Sequence, residues 1–204
     1  VTGEIRIYVE GGGDDKDSKQ RLRRAIDTFL KDLKEQARNK RVKWHTVACG
    51  TRRKAYDGYR CGARDHPEAF IVLLVDSEEQ VVSPEWIHLK NRDRWTLTQD
   101  DKDHCFLMVR LMEAWLLADM DAVEGYYGQG FRRITIPFGG VEGIEKEDVL
   151  GFLKDATRDT QKRDYHKARH GPELLEIVDS SKVRAAAPHC ERLFSSLETL
   201  ISSS

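Results

Sequence analysis

No apolar run in this 204-residue chain approaches the roughly 20 residues needed to cross a bilayer, and its first residues carry neither a signal-peptide core nor a cleavage site. A helical membrane span is thereby excluded, no membrane partner is expected, and the expected location is the cytoplasm. Cysteine is sparse: Cys49, Cys61, Cys105 and Cys190 lie far apart and form no CxxC pair. That spacing argues against a disulfide framework or a zinc knuckle and suits reduced thiols. The seven histidines include no HExxH or other closely spaced ligand set. There is no GK[ST] and no GxGxxG, so the run Gly11, Gly12, Gly13 is a poor phosphate loop and any ATP dependence must arrive in trans. Excess charge is lacking too. Lys and Arg total 34 against 35 Asp and Glu, so any nucleic-acid-binding surface has to come from local segregation of charge. There is no internal repeat and no low-complexity tract beyond the serine-tipped C-terminus.

What is present is organised around FIVLLVDSEE, residues 70–79. Six apolar residues, polar on both sides and too few for an ordinary helix, predict a strand buried on both faces of a parallel sheet. Asp76 and Glu78 then stand where that strand leaves the core. Extended geometry points them to one side, with Ser77 turned away. EIRIYV (4–9) reads as a first strand that ends at Glu10 and a glycine loop, again placing an acid at a strand's carboxyl end. Open α/β sheets bind their ligands at that edge.

Leu22, Ala25, Ile26, Phe29, Leu30 and Leu33 recur at helical spacing and predict one helix over 18–38, with Ser18 as N-cap. VKWHTVAC (42–49) reads as a second strand. Residues 51–64 carry Arg52, Arg53, Lys54, Arg60 and Arg64 around Tyr56 and Tyr59. This is either a nucleic-acid-tracking segment or a solvated helix that buries its tyrosines. Pro84, Trp86, His88 and Trp95 are placed in a loop against the core. HCFLMVRLMEAWLLAD (104–119) could be one buried helix, but its apolar run 105–109 followed by Met112, Trp115 and Leu116 favours strand then helix, with Glu113 in the first turn. Glu10, Asp76, Glu78 and Glu113 are then expected to converge. Asp119 and Asp121 read better as helix caps than as ligands, with Asp121 and Glu124 spaced as a capping box.

Beyond Gly128, a connector holding Gly130, Pro137, Gly139 and Gly140 leads to helices over 145–157, 172–178 and 189–201. Between them, residues 158–170 form a basic loop with Lys162, Arg163 and Arg169, in which His166 and His170 serve as phosphate contacts or surface residues. The fold expected is α/β: a mostly parallel sheet of about four strands flanked by helices, residues 1–128 as the core and 129–204 as a helical layer packed on it.

VEGGG (9–13), LLVDSE (73–78), LMVRLMEAWLLAD (107–119), the YYG that follows and DYHKARHGPELLEIVDSSKVR (164–184) together resemble a small bacterial family of unknown function classed as TOPRIM-like and often encoded beside an ATPase. The resemblance covers nearly the whole chain. It implies a relation to the TOPRIM nuclease domain of overcoming-lysogenisation-defect proteins, in which a Glu follows the first strand and a DxD-type pair follows the third. Glu10 matches the first, and Asp76 and Glu78 match the pair with Glu in place of the last Asp. Nuclease members carry a further Glu after the fourth strand and a late Lys, for which Glu113 and Lys167 are the matching positions.

Oxygen ligands without Cys or His favour Mg²⁺ or Mn²⁺ over zinc, and such ions recruit phosphate oxygens. The expected roles are Asp76 and Glu78 as metal ligands, Glu10 as ligand or general base, Glu113 as ligand to a second ion, and Lys167 as stabiliser of developing phosphate charge. Arg52, Arg53, Lys54, Lys162, Arg163 and Arg169 are the expected contacts to DNA or RNA. The activity expected is a metal-dependent endonuclease in a bacterial anti-phage defence system with a separate ATPase subunit. The alternatives are a non-catalytic scaffold that binds the ATPase or nucleic acid, and phosphoryl transfer to small nucleotides. Self-association is left open.

Overall fold

A computed structural model describes residues 2–136 and 140–204; Pro137 and Gly139 of the expected connector lie outside the described residues. The chain runs β1 (Glu4–Val9), α1 (Lys16–Phe29), α2 (Lys31–Asn39), β2 (Lys43–Ala48), α3 (Arg52–Asp65), β3 (Phe70–Asp76), α4 (Glu85–Asp93), β4 (Cys105–Met108), α5 (Glu113–Leu117), α6 (Met120–Tyr127), α7 (Lys146–Thr157), α8 (Lys167–Leu175), α9 (Ser180–Ala186) and α10 (Pro188–Ser202). The four strands form one all-parallel sheet in the order β2-β1-β3-β4. This is the α/β fold expected.

The period-two alternation of the strands sorts the core into two layers. Ile5, Ile7, Val9, Val72, Leu74, Phe106 and Met108 face a large cluster with α1, α2, α5, α8 and α10. Tyr8, Ile71, Leu73, Val75, Cys105 and Leu107 face a smaller one built on α3 and α4. All of β3 after Phe70 is buried, as its continuous apolar run requires. The connection from β1 to β2 crosses the larger layer, and that from β2 to β3 crosses the smaller. The chain leaves β1 toward β2 on one side and leaves β3, by way of α4, toward β4 on the other, so the two exits diverge between β1 and β3 and open a crevice at the carboxyl ends of those strands.

Several local expectations are corrected. The helix over 18–38 is two helices broken at Leu30 (φ −96°, ψ 19°), and its N-cap is Asp15, which accepts from the Ser18 amide at 2.8 Å. The loop expected around Trp86 and His88 is α4, entered through Pro84, which suits a first helical turn with no amide to satisfy. Trp95 does pack into the core, stacked on Tyr56 at 4.4 Å between centroids. Of the segment 172–178 only 172–175 are helical, as the end of α8, which begins at Lys167; a turn follows and then α9. Asp119, not Asp121, caps α6, accepting from the Ala122 amide at 3.4 Å, while Asp121 pairs with Arg133 and Lys182.

The C-terminal helices share the larger apolar cluster with β1, β3 and β4. On α10, Arg192 donates to the Cys105 carbonyl (3.0 Å) and the Lys102 carbonyl (2.7 Å) along the outer edge of β4. Phe194 meets Phe29 edge-on at 5.7 Å, and Phe29 stacks on Trp115 at 5.1 Å. Truncating Phe194 to Ala is expected to cost about 3–5 kcal/mol by leaving a void between three elements. Urea unfolding followed by circular dichroism measures this, and a loss below about 1 kcal/mol would show that α10 is not coupled to the core.

Candidate metal centre

Val9 and Leu74 are partners in the β1–β3 ladder, so Glu10 and Asp76 leave adjacent strands at the mouth of the crevice. Alternation continued from each strand aims Asp76 toward the larger layer and Glu10 toward the smaller. Glu10 Oε2 accepts from the Asp76 amide at 3.2 Å, which locks the two strand ends together. Glu78 arrives by another route than extended alternation. The strand stops at Asp76, and Glu78 is in the left-handed region (φ 65°), its amide bonded to the Arg110 carbonyl at 2.9 Å. Arg110 is left-handed as well (φ 62°), and its amide donates to Ser77 Oγ at 2.7 Å. Two non-glycine residues in this region cost on the order of 1 kcal/mol each, the kind of strain that a packed framework sustains at a functional site. One carboxylate oxygen from each of Glu10, Asp76 and Glu78 lies within 4.8 Å of the others.

Glu113 occupies the first turn of α5, as expected, but is not a member of this trio. Its carboxylate is fully buried, accepts from Tyr165 Oη at 3.1 Å and lies 3.1 Å from Lys167 Nζ. The latter contact is an ion pair whose angles fall short of a hydrogen bond, so Glu113 Oε2 has no hydrogen-bond donor among the described residues. Lys167 Nζ also stands 3.6 Å from Asp76 Oδ2 and so joins Glu113 to the trio through a cation. Asp76 Oδ1 accepts from the Met112 amide at 2.8 Å.

Burial dominates the electrostatics. It pushes the Asp76 carboxyl up to about 7, Lys167 opposing the rise and the neighbouring Glu10 and Glu113 adding to it. Burial likewise raises Glu10, against the pull of Arg52. For Lys167, burial disfavours the charge, but Asp76 and Glu113 outweigh it and hold the ammonium protonated. The half-exposed Lys167 side chain has a solvent-facing side, so water screens part of that effect.

Arg52 is not a free phosphate contact. Its guanidinium grips Asp93 through two bonds (2.9 and 2.7 Å), donates to Glu10 Oε2 at 3.1 Å and to the Asp76 carbonyl, and lies over the Trp95 ring. It positions Glu10 from the smaller layer, much as Lys167 faces Asp76 from the larger. Tyr56 and Tyr59 are buried in the core and cannot stack bases. Arg53 and Lys54 are exposed, each paired with an acid (Asp57 at 3.0 Å, Asp14 at 2.6 Å). Near α8, Lys162 lies over the Tyr126 ring at 4.4 Å, and Arg163 and Arg169 are exposed with no ion pair among the described residues. His170 is not a surface residue: it is buried and bonded through Nδ1 to Tyr127 Oη at 2.7 Å, and burial lowers its pKa. Only His166 of that pair is exposed. Two further residues, Lys146 and Tyr165, had no signal in the sequence. Lys146 on α7 pairs with Glu78, and Tyr165 orients Glu113.

Three hard oxygen donors so grouped fit Mg²⁺ or Mn²⁺ and lack the nitrogen and sulfur that zinc prefers. Beside them opens a cleft of about 660 Å³, lined by Glu10 and Asp76 together with mostly apolar surface.

The family model for a domain of unknown function (DUF4276) matches residues 9–198. No curated protein matches the chain, and no solved structure does.

Two outcomes are expected when metal is added to the protein. Because the folded Asp76 carboxyl titrates near 7 rather than the ordinary 3.8, the native state holds its proton more tightly than the unfolded chain, and stability falls as pH rises through that interval. A divalent ion takes the ionised form, so its stabilisation should be small at pH 5 and full at pH 8. At about 100 times the dissociation constant it amounts to about 2.7 kcal/mol, roughly 5–11 °C in a chain of this size. Thermal unfolding with Mg²⁺, Mn²⁺ or EDTA measures it, and an equal shift at both pH values would refute the competition. Arg52→Lys, which cannot grip Asp93 and reach Glu10 together, should weaken Mn²⁺ binding about 10–100-fold by calorimetry.

Proposed function

The chain belongs to the DUF4276 family, whose description assigns no activity, and we propose that it is a divalent-metal-dependent endonuclease of TOPRIM type that hydrolyses phosphodiesters of nucleic acid. The observation that carries this reading is the meeting of Glu10, Asp76 and Glu78 oxygens within 4.8 Å at the crevice between β1 and β3, with Lys167 beside them. Those three residues would hold the ion, Mg²⁺ or Mn²⁺. When bound, it supplies Lewis acidity toward a phosphate oxygen and acidifies a coordinated water.

The chain's own groups do the rest. Where Asp76 and Glu78 alone hold the ion, Glu10, its basicity raised by burial, is instead the group that accepts a proton from the attacking water. Lys167 keeps a fixed positive charge beside Asp76 and Glu113, where it neutralises charge developing on the phosphoryl oxygens. Glu113, itself oriented by Tyr165, holds Lys167 in place, and Glu113 is the carboxylate that would serve a second ion. Arg163 and Arg169, exposed and without an ion pair among the described residues, suit contacts to the phosphate backbone. The resemblance of 164–184 and the other quoted segments to ATPase-linked families supports a separate ATPase partner and a role in defence against phage.

A second reading, a non-catalytic scaffold, is favoured by the pairing of each acid with a base: Glu10 with Arg52, Glu78 with Lys146, and Asp76 and Glu113 with Lys167. One comparison separates the two. With plasmid, single-stranded DNA and transfer RNA in Mg²⁺ or Mn²⁺, with and without the neighbouring ATPase, Asp76→Ala and Glu10→Ala should each abolish cleavage while the circular dichroism spectrum and partner binding persist. Variants that leave function intact would establish the scaffold instead.

A further inference from the structure

The cleft beside the acids has walls that no phosphodiester chemistry requires. Leu22 and Ile26 of α1, Met108 and Met112 around the end of β4, Leu150 of α7 and Pro172 of α8 line it, so three helical segments and the sheet contribute apolar surface to one slot. Glu10, Asp76 and Lys167 line it as well, as does Lys154, which is exposed and without an ion pair among the described residues. At about 660 Å³ the cleft is within the range of small-molecule sites, about 300–1,000 Å³. A phosphate backbone is polar throughout and gains nothing from such walls. A nucleobase has apolar faces and a polar rim, and within one nucleotide it is tethered to a phosphate. The faces of a base in a duplex are covered by its stacked neighbours, so only an unpaired or extruded nucleotide can present them.

We infer that the cleft binds one unstacked nucleotide, its base between the apolar walls of α1, α7 and α8 and its phosphate toward Asp76 and Lys167, and that the substrate is accordingly single-stranded or locally unpaired nucleic acid. The inference rests on the metal-nuclease reading for the position of the phosphate. The apolar recognition of the base can be measured apart from it.

The test uses the full chain in EDTA at about 0.15 M salt, where non-specific backbone binding is weakened. Fluorescein-labelled dT12, rU12, a duplex of dA12 with dT12, and a twelve-unit abasic deoxyribose-phosphate chain are titrated by anisotropy. The tighter of dT12 and rU12 is expected to bind at least about tenfold more strongly than both the duplex and the abasic chain, since burying a base face is worth that much. The abasic chain carries the same charge, so equal binding of it would overturn the inference without any variant. Ala168 is exposed on α8 and lines the cleft. Ala168→Trp should fill the slot and erase the preference for bases, while Mn²⁺ binding by calorimetry is unchanged; a preference that survives the variant refutes the assignment. Failure of the wild type to bind Mn²⁺, with base-dependent binding intact, would sink the nuclease reading and leave the cleft standing. Mn²⁺ binding without base preference would do the reverse.

Discussion

Carboxylates placed side by side in a poorly solvated crevice repel one another and resist ionisation, and the rest of this site is arranged around that cost. Glu10 and Asp76 are adjacent because β1 and β3 are hydrogen-bonded neighbours, and Glu78 joins them because the backbone turns sharply after Asp76. Positive charge then comes from both sides of the sheet: Arg52 from α3, Lys167 from α8 and Lys146 from α7. The three bases originate in widely separated parts of the chain, so the charge balance exists only once the C-terminal helices have docked.

The two helical layers have different duties. The smaller layer holds Glu10 rigidly through the Arg52–Asp93 pair and the Trp95 face. The larger layer carries Lys167, Glu113 and Tyr165, and between α1, α7 and α8 it leaves the cleft unfilled. A packed interior ordinarily leaves few voids larger than a water molecule. An apolar opening beside charged groups therefore distinguishes the larger layer from the smaller, and it is the side to which the proposed nucleotide is assigned.

Much of the fold was legible because its signals are local. Apolar runs ending in acids mark β1 and β3 together with the residues that follow them, and helical periodicity marks most of the helices. The site was legible only as far as the strand ends carried it. Arg52, Tyr56 and Tyr59 stand at i, i+4 and i+7, so the burial of both tyrosines also turns Arg52 inward; that spacing was available in the sequence and pointed away from a nucleic-acid surface. Lys146 and Tyr165 could not be found this way, since their partners lie 68 and 52 residues away and nothing local marks them. Glu78 was expected on the right side for the wrong reason, because alternation presumes a strand that has already ended. His170 was misplaced because its partner, Tyr127, is supplied by another helix.

The outer strand β4 is only four residues long, and Arg192 occupies the Cys105 carbonyl on its open side while α10 lies across it. So short a margin, with its Cys105 carbonyl already taken, offers little for another polypeptide to pair with. Growth of the sheet by strand addition is thus disfavoured on the β4 side, which leaves β2 as the freer edge for any joining of two such molecules.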